Sequence, residues 1–449
     1  MAPAVLLAIV LAVPADAGQA SALQPRIDAA AAGATLEIGP GRYDGDLVID
    51  RPLRLVGRGR PLLVGSGKGS VVRIRASDVT LEGFDIDGLG GGLLADDPAG
   101  IHVSGARAVV RDCRVRHALL GVYLHAADAA VVEGSTVTGY ADRPAGEQGS
   151  GIHVWNTQGF RLVGNEVRFS RDGFYIQSSN GGFIGGNLAR DVRYGLHYMS
   201  SDDNVFEDNR FEQGAAGAAI MYSKRITFRR NQFLHSRGFG SVGLLLQACE
   251  DVTALDNLIA DNGRGIFLEG TLRSRFAGNI IARSDTAVVL YDSAREVRFE
   301  GNAFLANLSP LDLVGRRTDT SFDRNYWSDA TEPDFDGDGI GDAPYRLTSV
   351  FDHLRGNLTA ADLFARSLTA AALGLAERTF PVLSPAPVAD LHPLARPPGL
   401  PNVPRPEAGV RQANVAGLIA SAASAAFGAV LLLGGRRRRA HGGTRREAA

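Results

Sequence analysis

From about residue 75 to 330, apolar and polar side chains alternate in short runs: Gly100-Ile-His-Val, Gly121-Val-Tyr-Leu, Gly151-Ile-His-Val, Gly173-Phe-Tyr-Ile, Gly195-Leu-His-Tyr. A period of two predicts strands with one buried face. The runs themselves recur. Asn165, Asn187, Asn209 and Asn231 stand 22 residues apart, and Asn257, Asn279, Asn302 and Asn325 follow at intervals of 26, 22, 23 and 23. Eight residues after most of these asparagines, a small residue opens the next alternating run. Cys113 and Ser135 occupy the asparagine slot in two earlier repeats. A period near 22 without helical periodicity marks a solenoid, and the absence of spaced leucines and a helical half excludes a leucine-rich repeat. The expected fold is all-β: a right-handed parallel β-helix of about eleven coils, each with three short strands, stacked ~4.8 Å apart. A residue repeated eight times reads as structure, an inward asparagine ladder whose amides bond from coil to coil.

The flanks divide by composition. Residues 18–74 are the N-terminal cap and first coils; within them 24–64 promise a short helix and strands that lid the exposed edge. The β-helix proper spans 75–330. An Asp-rich loop (331–350), a helical segment (351–380, capped near Asn357 or Thr359) and a Pro-rich tether (381–411) follow. The apolar run at 4–13, ending in Ala15-Asp16-Ala17, makes 1–17 a signal peptide. Residues 415–434 carry no charge and are long enough to span a bilayer. Arg436 to Arg439 mark 435–449 as a cytoplasmic tail. Together these ends place residues 18–410 outside the cytoplasm, which in a bacterium is the periplasm, with the C-terminal helix expected to anchor the protein to the inner membrane. A formal net charge of −2 gives no reason to expect nucleic acid. With only two cysteines, Cys113 and Cys249, no disulfide framework is available, and both read as buried free thiols.

Alternation also sorts the surface. On each strand opening at the Gly slot, positions +1 and +3 face in, and +2 and +4 face out. The outward rows read His102, Tyr123, His153, Tyr175, His197 and Ser104, His125, Trp155, Gln177, Met199, Met221. Met199 and Met221 are the mature chain's only methionines and lie one period apart, hence on neighbouring coils. His197 is two residues from Met199. Two thioethers and an imidazole form a soft ligand set that suits Cu(I) and poorly suits Mg²⁺ or Ca²⁺; the competing reading is ordinary hydrophobic packing. His102, Tyr123, His125, His153, Trp155, Tyr175 and Gln177 border this candidate, and a loop or cap packed over the row is their plainest explanation. A second constellation, Asp334, Asp336, Asp338, the Ile340 carbonyl and Asp342, matches the first part of a calcium loop. Its twelfth position is Tyr345, not Glu, so an EF-hand cannot be completed and a structural Ca²⁺ pinning the last coil is the expectation.

Several stretches carry a resemblance to a known family: Gly151-Ile-His-Val-Trp-Asn, Arg171-Asp-Gly-Phe-Tyr-Ile-Gln-Ser-Ser-Asn, Tyr194-Gly-Leu-His-Tyr-Met-Ser-Ser-Asp-Asp-Asn and Met221-Tyr-Ser. The tail adds Asn325-Tyr-Trp-Ser-Asp, Asp336-Gly-Asp-Gly-Ile-Gly-Asp-x-Pro-Tyr, and Glu377-Arg-x-Phe-Pro-Val-Leu leading to His392-Pro-Leu-Ala-Arg-Pro-Pro. Over residues 24–400 the chain resembles NosD, periplasmic β-helix accessory proteins for nitrous oxide reductase maturation. The resemblance implies a non-enzymatic factor beside an ABC transporter, serving assembly of the reductase's copper-sulfide centre. The partners it implies are the transporter's membrane subunit and ATPase, the reductase, and a copper chaperone. Two other classes compete: a secreted β-helix lyase or epimerase for acidic polysaccharide, and a carbohydrate-binding solenoid. Lyase chemistry needs carboxylates and a base on the outward rows, where Glu269 is the main carboxylate.

Overall fold

A computed structural model describes residues 22–89, 98–315, 318–330, 333–347 and 388–397, with 367–369, 372–373 and 376 besides. The described strands form three sheets of 15, 13 and 12 strands; apart from an antiparallel pair at the C-terminal end, neighbours run parallel, each hydrogen-bonded to the equivalent strand one coil away. This is the predicted parallel β-solenoid. The 13-stranded sheet, from Arg42–Asp44 to Tyr326–Trp327, contributes one strand per coil and sets the coil number at about thirteen, not eleven. The difference lies at the N-terminus. Thr35–Ile38 already pairs in register with Arg54–Gly57, and Arg42–Asp44 with Leu62–Val64, so most of the expected lid is solenoid. Among the described residues the helix Gln24–Ala29 caps it, and Gln24 acts as a substitute strand. Its side-chain oxygen accepts from Val48 N at 2.9 Å and its amide donates to Val48 O at 3.0 Å, closing part of the open edge.

The asparagine ladder forms as expected. Asn187 donates through Nδ2 to Asn209 Oδ1 (2.9 Å) and Leu162 O (2.9 Å), while its own oxygen accepts from Asn165 N (2.9 Å) and Nδ2 (3.0 Å). Every polar atom of this buried amide is satisfied, as burial demands. Ser135 and Cys113 continue the column upward, Cys113 N donating to Ser135 Oγ and Ser135 N to Asn165 Oδ1. Cys113 and Cys249 are free and buried. Burial pushes their thiols up to about 12 and about 11, so neither offers a thiolate at neutral pH.

The 12-stranded sheet differs from the others. Most of its central strands run six residues, among them Ser150–Trp155, Asp172–Gln177, Tyr194–Met199, Ala216–Met221 and Val242–Gln247. The second residue of each is the glycine that opens the repeat. A Cβ on Gly195 would sit 2.6 Å from Gly217 O and 2.7 Å from Phe211 Cβ, so the coil can turn this corner only where no side chain intervenes.

The far end closes with chain from the tail. Tyr345–Arg346 pairs antiparallel with Ala389–Asp390, and Phe322 pairs with Asp390. Asp390 sits where the next asparagine would stand and accepts from Asn325 N and Nδ2, both at 2.9 Å. The signal peptide (1–17), the span 415–434 and the tail 435–449 lie outside the described residues, as do nearly all of the helical segment 351–380 and most of the tether 381–411. Among the described residues no helix is long and apolar enough to cross a membrane.

Candidate functional site

The outward face of the long-strand sheet carries two parallel rows. In the first, register places His102 beside Tyr123, Tyr123 beside His153, His153 beside Tyr175, and Tyr175 beside His197. Consecutive ring centroids are 4.8, 4.9, 4.5 and 4.8 Å apart, one unbroken ladder of alternating imidazole and phenol. The ladder stops at His197 because the next position is Ala219. In the second row His125 stacks on Trp155 at 5.0 Å, and Gln177, Met199, Met221 and Gln247 follow in register. The rows do leave the core, but they are not a bare stripe. Tyr123 is 1% exposed and Trp155 41%, with the intervening rings half-buried against each other.

Met199 and Met221 are direct partners on adjacent strands, both half-buried. Parallel strands lie ~4.8 Å apart, so both side chains leave the sheet within reach of one ion. A hydroxyl column holds these strand ends, and sequence reading missed it. Thr157 N donates to Ser179 Oγ (3.0 Å), Ser179 N to Ser201 Oγ (3.0 Å) and Ser201 N to Ser223 Oγ (3.1 Å). The hydroxyls of Ser201 and Ser223 in turn donate to the carbonyls of Met199 and Met221 at 2.9 and 2.7 Å. The signal was a second 22-residue column of serines, hidden by the more conspicuous asparagines. Tyr175 binds this cluster too, its hydroxyl 2.7 Å from Gln177 Oε1 and 3.9 Å from Met199 Sδ.

His197 has a buried partner that the sequence reading also passed over. Asp172, fully buried, lies with Oδ2 3.1 Å from His197 Nδ1 and accepts from Arg193 at 3.0 and 2.9 Å. Burial alone would raise this carboxyl, but the hydrogen bond and charge of His197, with the charge of Arg193, hold it below the usual carboxylate range. Asp172 immediately precedes the Gly173 slot, where strict alternation would set it inward with Phe174 and Ile176, yet its carboxylate meets the outward-facing His197. The outward rows begin three residues later, at Tyr175, and pass over it.

His153 sits in the middle of the ladder with Nδ1 buried and without a hydrogen-bond partner. Burial pulls its pKa down to about 4, helped by the Arg171 charge. An unfolded histidine titrates near 6.5, so between pH ~6.5 and ~4 the unfolded chain binds the extra proton and stability falls with pH. The wild type should lose up to roughly 3 kcal/mol over that window. His153→Phe, which keeps the ring stack, should lose this dependence, as read from urea midpoints at pH 7 and 4.5. Equal pH slopes in both proteins would refute it.

In the acidic loop, ligand oxygens of Asp334, Asp336 and Asp338 lie within 4.8 Å of one another. Much of its carboxylate capacity serves the turn itself. Asp334 accepts from Gly337 N and Gly339 N, Asp336 from Asp338 N, and Asp338 from Ile340 N. Asp342 accepts from Phe335 N. Ile340 bridges to Leu394, while Gly341 N donates to Pro393 O and Ala395 N to Gly339 O. The loop therefore lies against the tail, well along the chain from the His and Met rows.

Residues 133–337 match the family model described as "Periplasmic copper-binding protein (NosD)". The chain is 32% identical over 383 residues to a "Probable ABC transporter binding protein NosD" of Pseudomonas aeruginosa, covering 82% of this chain and 89% of that protein. It is 30% identical over 375 residues to the protein of that name in Stutzerimonas stutzeri, covering 79% and 85%. Among solved structures it is similar to the A-module of an Azotobacter vinelandii mannuronan C-5 epimerase, with TM-score 0.59 and 18% identity over 69% of this chain and 95% of that one. At that identity the likeness is one of fold.

Proposed function

This chain belongs to the NosD family, and we propose that it is a non-catalytic maturation factor for nitrous oxide reductase that carries Cu(I) for the copper-sulfide centre. The observation that supports this reading is the pairing of Met199 with Met221 across adjacent strands, with His197 one row away. Two thioethers and an imidazole hold Cu(I) by their softness, and a half-buried surface position lets the ion be handed on. A closed structural site would not. Its partners are then the membrane subunit and ATPase of an ABC transporter, the reductase, and a copper chaperone that loads the site. The apolar span 415–434 would tether the protein beside that transporter. Ca²⁺ at Asp334, Asp336 and Asp338 would serve the closing loop.

The lyase or epimerase reading has the fold but lacks the rows. Among the described long strands that carry the His and Met cluster, the carboxylate is Asp172, and it is committed to Arg193, Arg171 and His197. The test is genetic. A strain lacking this chain should export reductase without its copper-sulfide centre, and the wild-type gene should restore it. Restoration by a variant carrying His197→Ala, Met199→Leu and Met221→Leu together would refute copper handling at this site. Cleavage or epimerisation of uronic-acid polymers by the purified protein would favour the enzyme.

A further inference from the structure

We propose that Asp172 is a positioning residue that decides which nitrogen His197 presents, holding the proton on Nδ1 and leaving Nε2 to bind a soft metal beside Met199 and Met221. The inference rests on the copper reading of this cluster and adds to it a residue outside the ligand set. Asp172 and His197 stand on adjacent strands, Asp172 pairing with Tyr194 and Tyr175 with His197. The carboxylate oxygen 3.1 Å from Nδ1 can only accept, so the ring must carry its proton there. Arg193 offers the opposite arrangement, since its Nη2 is 3.5 Å from the same Nδ1 and would donate to a bare nitrogen. The carboxylate removes that option. It lies closer, and it takes both a 3.0 Å and a 2.9 Å bond from the Arg193 guanidinium. His197 Nε2 has no hydrogen bond among the described residues, and the neighbouring position on the next coil is the small Ala219.

This is the arrangement that metal-binding histidines use elsewhere. One nitrogen donates to a carboxylate, which fixes the ring and raises the basicity of the other. Tyr175 and Tyr194 add edge-on contacts at 4.8 and 5.3 Å that restrict ring rotation. A buried carboxylate paired only for stability would need Arg193 alone. Arg171 Nε adds a longer contact at 3.4 Å, and the bond to the imidazole is the one that connects the carboxylate to the thioether row.

The test uses the full chain, purified in detergent, with ¹⁵N-labelled histidine. In the wild type, two-bond ¹H–¹⁵N correlations should show His197 protonated at Nδ1. Asp172→Asn retains the shape but turns amide donors toward the ring, so the proton should move to Nε2. Cu(I) affinity, measured against a chromophoric chelator, should then fall by about 10- to 100-fold. Arg193→Gln breaks the ion pair but spares the carboxylate, and should keep both the tautomer and, within about threefold, the affinity. Asp172→Asn with unchanged tautomer and affinity would overturn the inference. So would equal losses in both variants with the tautomer unmoved, which would mark the pair as structural only. Failure of the copper site itself looks different: His197→Ala would then bind Cu(I) like the wild type, whatever the Asp172 variant does.

Discussion

Replacing Met199 and Met221 together by leucine is expected to weaken Cu(I) binding at least tenfold, about 1.4 kcal/mol, while leaving the fold intact. Leucine and methionine differ little in volume, and such exchanges usually cost under ~1.5 kcal/mol even in cores. Both residues are only half-buried here, and their inward neighbours Tyr198 and Ile220 are untouched. What leucine removes is the sulfur lone pair, and with it the weak contact from the Tyr175 hydroxyl at 3.9 Å. Single exchanges should give intermediate losses, because one thioether and the imidazole still provide two soft ligands. The measurement is competition with a chromophoric Cu(I) chelator, set beside the melting temperature of each variant. A double variant that binds as tightly as the wild type would return both methionines to ordinary packing.

The second large effect is expected at the C-terminal end of the solenoid. Asp390 is fully buried and accepts from Asn325 N, Asn325 Nδ2, Trp327 Nε1 and Arg324 N at 2.9, 2.9, 3.2 and 3.1 Å. Asp390→Ala leaves these donors without their acceptor, and each orphaned buried donor costs roughly 1–3 kcal/mol. Water entering the vacated space offsets part of that, so a net loss of roughly 3–5 kcal/mol is expected. A solenoid is stabilised coil by coil, so the damage should appear as early fraying of the last coils, not as uniform weakening. Trp327 reports on it directly, stacked between Phe304 at 4.1 Å and Tyr345 at 4.7 Å. In a Trp155→Phe background, its fluorescence should shift red at a lower temperature than the main transition. A single transition at the wild-type temperature would show that Asp390 does not close the column. Chelator provides a second arm. If Ca²⁺ occupies the Asp334, Asp336 and Asp338 loop, chelator should loosen the 393–395 segment bonded to it and bring on the same early shift in the wild type. Identical melts with and without chelator would mean that the turn closes without a cation.

The tail motifs behind the family resemblance have a structural use that their spelling did not reveal. Trp327 of Asn325-Tyr-Trp and Tyr345 at the end of the acidic stretch stack on each other, and Asp390 bonds to Asn325 and Trp327. Together they finish the last coil. The outer rows were placed on the right face, but their surroundings were not legible. Tyr123 is covered although alternation points it outward, because rings on neighbouring coils shield one another. Asp172 was missed for a simpler reason: it stands just before the glycine, where alternation assigns it to the inward set.

The solenoid, its strand faces, its asparagine column and the pairing of Met199 with Met221 are all legible in the order of residues. In a β-solenoid each residue's main neighbour is one period away, so a spacing of 22 along the chain is already a contact in space. Only the tertiary structure decided what has no period. Asp390 reaches Asn325 across 65 residues of non-repeating chain, and no spacing rule predicts that return. Likewise, the choice of Asp172 between Arg193 and His197 depends on side-chain direction and burial, and here it satisfies both. Repetition converts sequence distance into contact; where repetition ends, only the folded chain shows which groups meet.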